Sequence, residues 1–180
     1  EPILAPMLQG QSMRLTTDQQ KILASWIALK AMVAEFESFS YLISHHTQIK
    51  RMWKKHLPPE HGWRILIGHY KRAKWPSVWV NHPFLILPKG WKGDDRATYY
   101  NSQSLTFVVG EVFVLLIRSP VPNLVERLRF GKEGGKLRQI WPLTGFSFRW
   151  PPPTLTDSDA DRLAGALFNY ITRVSGAFAV

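Results

Sequence analysis

The chain has 180 residues, 45% apolar and 20% charged, with eight Trp, ten Phe and no Cys. Such a composition can fill a core and is not that of a disordered chain, and without cysteine it excludes disulfides, thiol catalysis and cysteine zinc sites, which fits a cytoplasmic setting. The net charge is +10, and the eleven basic and three acidic residues from Lys50 to Arg96 supply eight of it, so the field is local and selects a polyanion, most commonly nucleic acid.

The chain opens Glu1-Pro-Ile-Leu-Ala-Pro, which reads as a fragment or processed product of something longer. No signal peptide is visible, and no apolar run approaches the roughly 18 residues that span a bilayer. Residues 1–57 read as helical. Thr17, with Gln20 three residues on, predicts a helix start. Ile22, Trp26, Leu29, Val33 and Phe36 then predict its core stripe as far as about Ser38. Leu23 and Ile27 widen the stripe, and alanines fill the rest, so the helix should touch neighbours on more than one side. A shorter helix is predicted over Thr47–Leu57, ended by Pro58-Pro59. At 3.6 residues per turn, Lys50, Arg51, Lys54 and Lys55 fall in one arc of about 140°, with Met52 and Trp53 opposite.

From Trp63 the pattern changes to β-branched and aromatic runs punctuated by Gly, Pro and Asn. Strands are predicted at Trp63–Tyr70, Ser77–Asn81, Thr98–Val109, Val112–Arg118, Lys136–Trp141 and Phe146–Trp150. Gly110-Glu111 reads as a two-residue hairpin turn of type II′. Gly131–Lys136 lacks the order of a phosphate-binding loop and reads as a flexible hairpin loop. After the linker Pro151–Pro153, Thr156 should cap a last helix with core positions Leu163, Leu167, Phe168, Ile171 and Val174. Its Asp157, Asp159 and Asp161 complement the helix dipole more simply than they bind metal. The fold class expected is α+β in a single domain: a helical part over 1–57, a mainly antiparallel sheet over 62–150, and a terminal helix over 156–175 packed on it.

Several segments in order resemble a known group. They are Glu1–Leu8, Leu15-Thr-Thr-Asp-Gln-Gln20, Leu23-Ala24-x-Trp26 with Lys30-Ala-Met-Val33, Ile67-Gly-His-Tyr70, Phe107-Val-Val-Gly110, and Ile140-Trp-Pro142 ahead of Trp150-Pro-Pro152. Together they are similar to the region downstream of the zinc cluster in bacterial and phage HNH endonuclease-like proteins. The resemblance implies a nuclease context. Those proteins carry zinc knuckles and an HNH segment before this region; this chain has neither Cys nor a His-x-x-Asn-x-His arrangement, so no HNH catalytic residue carries over.

Candidate sites follow from charge. Lys50/Lys54 and Arg51/Lys55 form i, i+4 rows with no acid among them; such rows repel internally unless a partner supplies the counter-charge, or they are simply a solvated face. Lys71, Arg72, Lys74 and Trp75, then Lys89 and Lys92 around Trp91, interleave cations with rings, as single-strand binders do, although Trp75 and Trp91 could equally cover a sheet edge. Lys30 lies between Trp26 and Leu23 on the wheel, which predicts a buried ion pair with Glu37. Six histidines fall between His45 and His82 without a metal-ligand spacing. Neither a catalytic residue, a metal ligand nor a cofactor is assigned. The favoured reading is a nucleic-acid-binding accessory domain of an HNH nuclease-like protein, DNA ahead of RNA, without membrane contact. The alternatives are a metal-independent ribonuclease or toxin using histidines, and a structural domain whose basic surface takes an acidic protein.

Overall fold

The computed structural model describes residues 3–37, 50–52, 54, 59, 62–71, 79–84, 86, 102–119, 121 and 123–174. Helix α1 (Leu4–Leu8) and strand β1 (Met13–Leu15) lead into α2 (Thr17–Glu37). Four strands follow, β2 (Trp63–Tyr70), β3 (Trp79–Phe84), β4 (Ser102–Val109) and β5 (Val112–Arg118). After a short α3 (Leu124–Arg127) and a 3-10 turn (Glu133–Lys136) come β6 (Arg138–Trp141), β7 (Phe148–Trp150), β8 (Thr154–Leu155) and α4 (Asp157–Val174). The main sheet has the order β3-β4-β5-β2-β6 with antiparallel neighbours, and β8 adds a short parallel pairing to β2. A separate antiparallel ribbon joins β1 to β7. The architecture is α+β.

Both faces of the sheet are covered. On one side Ile65, Ile67, Leu105, Val114 and Leu116 meet α2, Met52 and the β1–β7 ribbon. On the other, Leu66, Phe113, Leu115 and Ile117 meet α3 and α4. Burial on both faces is why β5 reads as a nearly continuous apolar run, whereas β4 buries Ser102, Gln103, Ser104 and Thr106 along with its apolar residues. β2 and β5 have the predicted bounds. β3 extends past the predicted Asn81 to Phe84, because it is an edge strand, where Pro83 costs little. β6 and β7 start two residues later than predicted, at Arg138 and Phe148. The 109–112 hairpin pairs Val109 with Val112, and Gly110 has φ +58 while Glu111 stays at negative φ, as a type II′ turn requires.

The helices correct the sequence reading. Thr16, not Thr17, caps α2: Gln19 N–H donates to Thr16 Oγ1 at 3.3 Å, and Thr16 N–H donates to Gln19 Oε1 at 2.9 Å. The buried face is Leu23, Ala24, Ile27, Ala28, Ala31 and Met32, while Ile22 and Val33 of the predicted stripe are 59% and 49% exposed. Leu23 and Ile27, expected to widen the stripe, are at the centre of packing, and Trp26 and Leu29 of the stripe are half-buried against the same core. Alanines let the helix approach its neighbours closely, which larger side chains in their place would prevent. Lys30 is about 120° from the buried centre and is exposed, with Nζ 5.8 Å from the centre of the Trp26 ring. It is therefore not a buried ion pair; the side chain of its expected partner, Glu37, lies outside the described residues.

In α4 the cap is the expected Thr156, whose Oγ1 accepts from Asp159 N–H at 3.2 Å. Leu163, Leu167 and Ile171 are buried as predicted, but Phe168 is 54% exposed and Tyr170 takes its place, its hydroxyl donating to the Leu124 carbonyl at 2.6 Å. The expected flexible loop at 131–136 is instead a turn tied to α4. Glu133 meets Arg162 at 2.9 Å and Lys136 meets Asp159 at 2.6 Å.

Candidate nucleic-acid interface

Residues 50–52 and 54 are helical, with Lys50, Arg51 and Lys54 exposed and Met52 1% exposed within the α2-side core. One buried apolar anchor thus turns three cations outward. Lys71, just past β2, is also exposed. Trp53, Lys55, Arg72, Lys74, Trp75, Lys89, Trp91 and Lys92 lie outside the described residues. Arg64, part of the same charge-rich run, serves the fold. Its Nε donates to Gln139 Oε1 at 2.9 Å, and Nη1 donates to the carbonyls of Leu128 and Val125 at 2.7 and 3.1 Å. Those bonds fasten α3 to the sheet, and burial, then the nearby Arg129, lowers the pKa of the guanidinium.

A second cationic group was not legible in the charge run. In the β1–β7 ribbon Arg14 stands directly opposite Arg149, flanked by Met13↔Trp150 and Leu15↔Phe148. Leu15 and Trp150 are fully buried, so strand alternation turns both arginines to the solvent face, and both are exposed. Arg14 Nε donates to Ser147 Oγ at 2.9 Å. The two arginines line an open cleft of about 480 Å³ with Ser12, Met13, Ser147 and Phe148. Beside it Phe146 is 76% exposed, while its carbonyl accepts from the buried Gln20 side chain at 2.9 Å. Among the described residues no acid contacts either arginine. The two are 135 positions apart in a chain whose charge density is highest elsewhere, so only the strand pairing reveals them.

A third cluster gathers at the end of β2. His69 Nε2 is 2.7 Å from Glu111 Oε2, and Nδ1 is 2.8 Å from Thr154 Oγ1, with the ring edge-on to Trp150 at 6.0 Å. Glu111 is therefore more than an incidental turn acid. The histidine is 4% exposed, and a Cβ on Gly10 would overlap the Glu111 carboxylate and come within 3.2 Å of His69 Nε2. Glu111 N–H also donates to the Leu8 carbonyl at 2.9 Å. The trio clamps the α1 turn, the 109–112 hairpin and β8 together. His82 is exposed on β3, three strands away from β2 and aligned through Ser104 and Ile117 with Arg64. At about 4.8 Å per strand and 3.4 Å per residue, it lies roughly 20 Å from His69, so these two histidines do not form one site. His45, His46, His56 and His61 lie outside the described residues.

Around α4, by contrast, cations meet acids. Asp159 accepts from Lys136 at 2.6 Å and from the Thr156 N–H and hydroxyl at 2.8 Å each, and Arg162 bridges Asp159 and Glu133 at 3.4 and 2.9 Å. The Lys136 bond, then the backbone bond, hold the Asp159 carboxyl far below the usual carboxylate range. Asp157 instead accepts from the Tyr70 hydroxyl. Asp157 and Asp159 are thus each turned to a different partner rather than converging.

No known protein family, curated protein or solved structure matches this chain. Among the described residues, no helix is long and apolar enough to cross a membrane.

Proposed function

We propose that this chain is a nucleic-acid-binding module, DNA ahead of RNA, that grips the phosphate backbone and accompanies a nuclease of the HNH type whose downstream region it resembles. The observation that carries the reading is the exposure of Lys50, Arg51 and Lys54 around the buried Met52, in the segment that supplies eight of the chain's ten net positive charges. Contacts of this kind give affinity and register without base specificity. Lys55 would join the helix row, and Lys71, Arg72 and Lys74 with Trp75 as a ring for stacking, and Lys89 and Lys92, would act as further phosphate contacts in a second patch.

The test is duplex DNA binding against salt for the wild type and for Lys50→Gln/Arg51→Gln/Lys54→Gln. The log–log slope should flatten by about 0.9 for each phosphate contact removed. An unchanged slope would take this helix out of the interface. The reading expects binding without turnover, so degradation of RNA by the pure chain in chelator would favour the ribonuclease alternative. Tight stoichiometric binding of an acidic protein, with none of DNA or RNA, would favour the third.

A further inference from the structure

We propose that the Arg14–Arg149 cleft is a second, separate site that takes single-stranded nucleic acid, with adjacent phosphates on the two guanidinium groups and a base stacked on Phe146. The idea rests on the nucleic-acid reading above for its ligand class, but on different residues. Two like charges directly opposite on an antiparallel pair have Cβ atoms about 5 Å apart and destabilise the ribbon. Around α4 this protein meets cations with acids. At Arg14 and Arg149 the cleft is lined instead by Ser12, Ser147 and apolar groups. The counter-charge that fits the pair is external, and paired guanidinium forks suit phosphate oxygens.

The cleft is also held in shape. Arg14 Nε donates to Ser147 Oγ at 2.9 Å, a bond that does not use the terminal guanidinium nitrogens. Gln20, fully buried, holds the Phe146 carbonyl and also the Leu15 carbonyl at 3.2 Å, so one side chain ties the ring's backbone to the strand that bears Arg14. Gln20 thus fixes the backbone that carries the Phe146 ring, which is 76% exposed and open to a base. Cation plus exposed ring is the combination that distinguishes a single strand, whose bases are free to stack, from a duplex, whose bases are not. Met13 and Phe148 pack against the same core as Met52, so this cleft and the Lys50–Lys54 cations belong to the same layer of the protein.

The experiment is fluorescence anisotropy of the full chain with a labelled 12-nucleotide single strand and with the matching duplex. Phe146→Ala should weaken single-strand binding five- to a hundredfold and leave duplex binding within twofold; Phe146→Trp should restore it. Arg14→Gln/Arg149→Gln should flatten the single-strand salt slope by about 1.4, from two contacts at about 0.7 each. Melting temperatures no lower than wild type would confirm that each variant is folded. Wild-type single-strand affinity in both Phe146→Ala and Arg14→Gln/Arg149→Gln would overturn the site. If Lys50→Gln/Arg51→Gln/Lys54→Gln lost duplex binding in the same series, the broader reading would survive that result. Poly-glutamate of equal charge displacing the single strand from the wild type as well as unlabelled strand does would overturn it in favour of an acidic protein ligand. No binding of either nucleic acid by the wild type at low salt would end both.

Discussion

The contacts around α4 and the β1–β7 ribbon treat cations in opposite ways. On the α4 side Lys136 and Arg162 reach Asp159 and Glu133, and Arg64 is capped by carbonyls. In the β1–β7 ribbon Arg14 faces Arg149 across the strand pair, and Lys50 and Lys54 are exposed in the same layer, whereas on α2 itself Lys21 pairs with Asp18 at 3.1 Å. A cation that the fold satisfies holds the fold together. A cation set against its own kind serves something outside. Removing the first kind should cost stability and spare binding; removing the second should do the reverse.

The largest effect is expected at Asp159. Asp159→Ala leaves the Thr156 N–H and Lys136 without their acceptor. Breaking such a pair costs about 3–5 kcal/mol when fully buried; with Lys136 35% exposed, about 2–4 kcal/mol is expected by urea unfolding, with nucleic-acid affinity unchanged. The folded pKa of this carboxyl is depressed. Its contribution is therefore fully present above the unfolded value near 3.9 and is lost as pH falls below that toward the folded value. Wild-type stability should drop between about pH 4 and pH 2, and Asp159→Asn should remove part of that drop.

Gly10→Ala should come next. Gly10 has φ +66, and its new Cβ would overlap the Glu111 carboxylate that holds His69. A loss of about 1–3 kcal/mol is expected in thermal or urea unfolding, and a variant as stable as wild type would show that the His69 clamp can be opened freely. The Arg14→Gln/Arg149→Gln double variant tests the opposite pole. It should fold as well as wild type or gain up to about 1 kcal/mol, because cross-strand repulsion is relieved. A loss of several kcal/mol there would erase the contrast between the two regions. The smallest effect belongs to Lys30→Met, within about 0.5 kcal/mol, since the side chain is exposed over Trp26.

Strand positions were largely legible because they depend on local chemistry. β-branched runs gave β2 and β5 their bounds, and Gly110 marked its own turn. What was illegible depended on partners distant in sequence. In α2 both helix faces are apolar, so periodicity could not say that the alanine face is the one packed; choosing the larger residues placed Lys30 in the core. Phe168 and Tyr170 show the same limit in α4, where tertiary contact with Leu124 selected the tyrosine. For the site, a run of lysines is visible in any charge count. The Arg14–Arg149 pair and the Glu111–His69–Thr154 clamp exist only once strand pairing is known. Three-residue strands such as β1 and β7 carry too little pattern to predict that pairing.

The central claim is that the exposed cations of the α2 side, on the Lys50–Lys54 helix and at the Arg14–Arg149 pair, meet nucleic acid. The most direct measurement is the affinity of the wild-type chain for a labelled single-stranded oligonucleotide between 50 and 200 mM salt. The account predicts measurable binding at the low end and a log–log slope of about −2 or steeper, from at least three phosphate contacts at about 0.7 each. No binding at 50 mM salt, or a slope near zero, would contradict it.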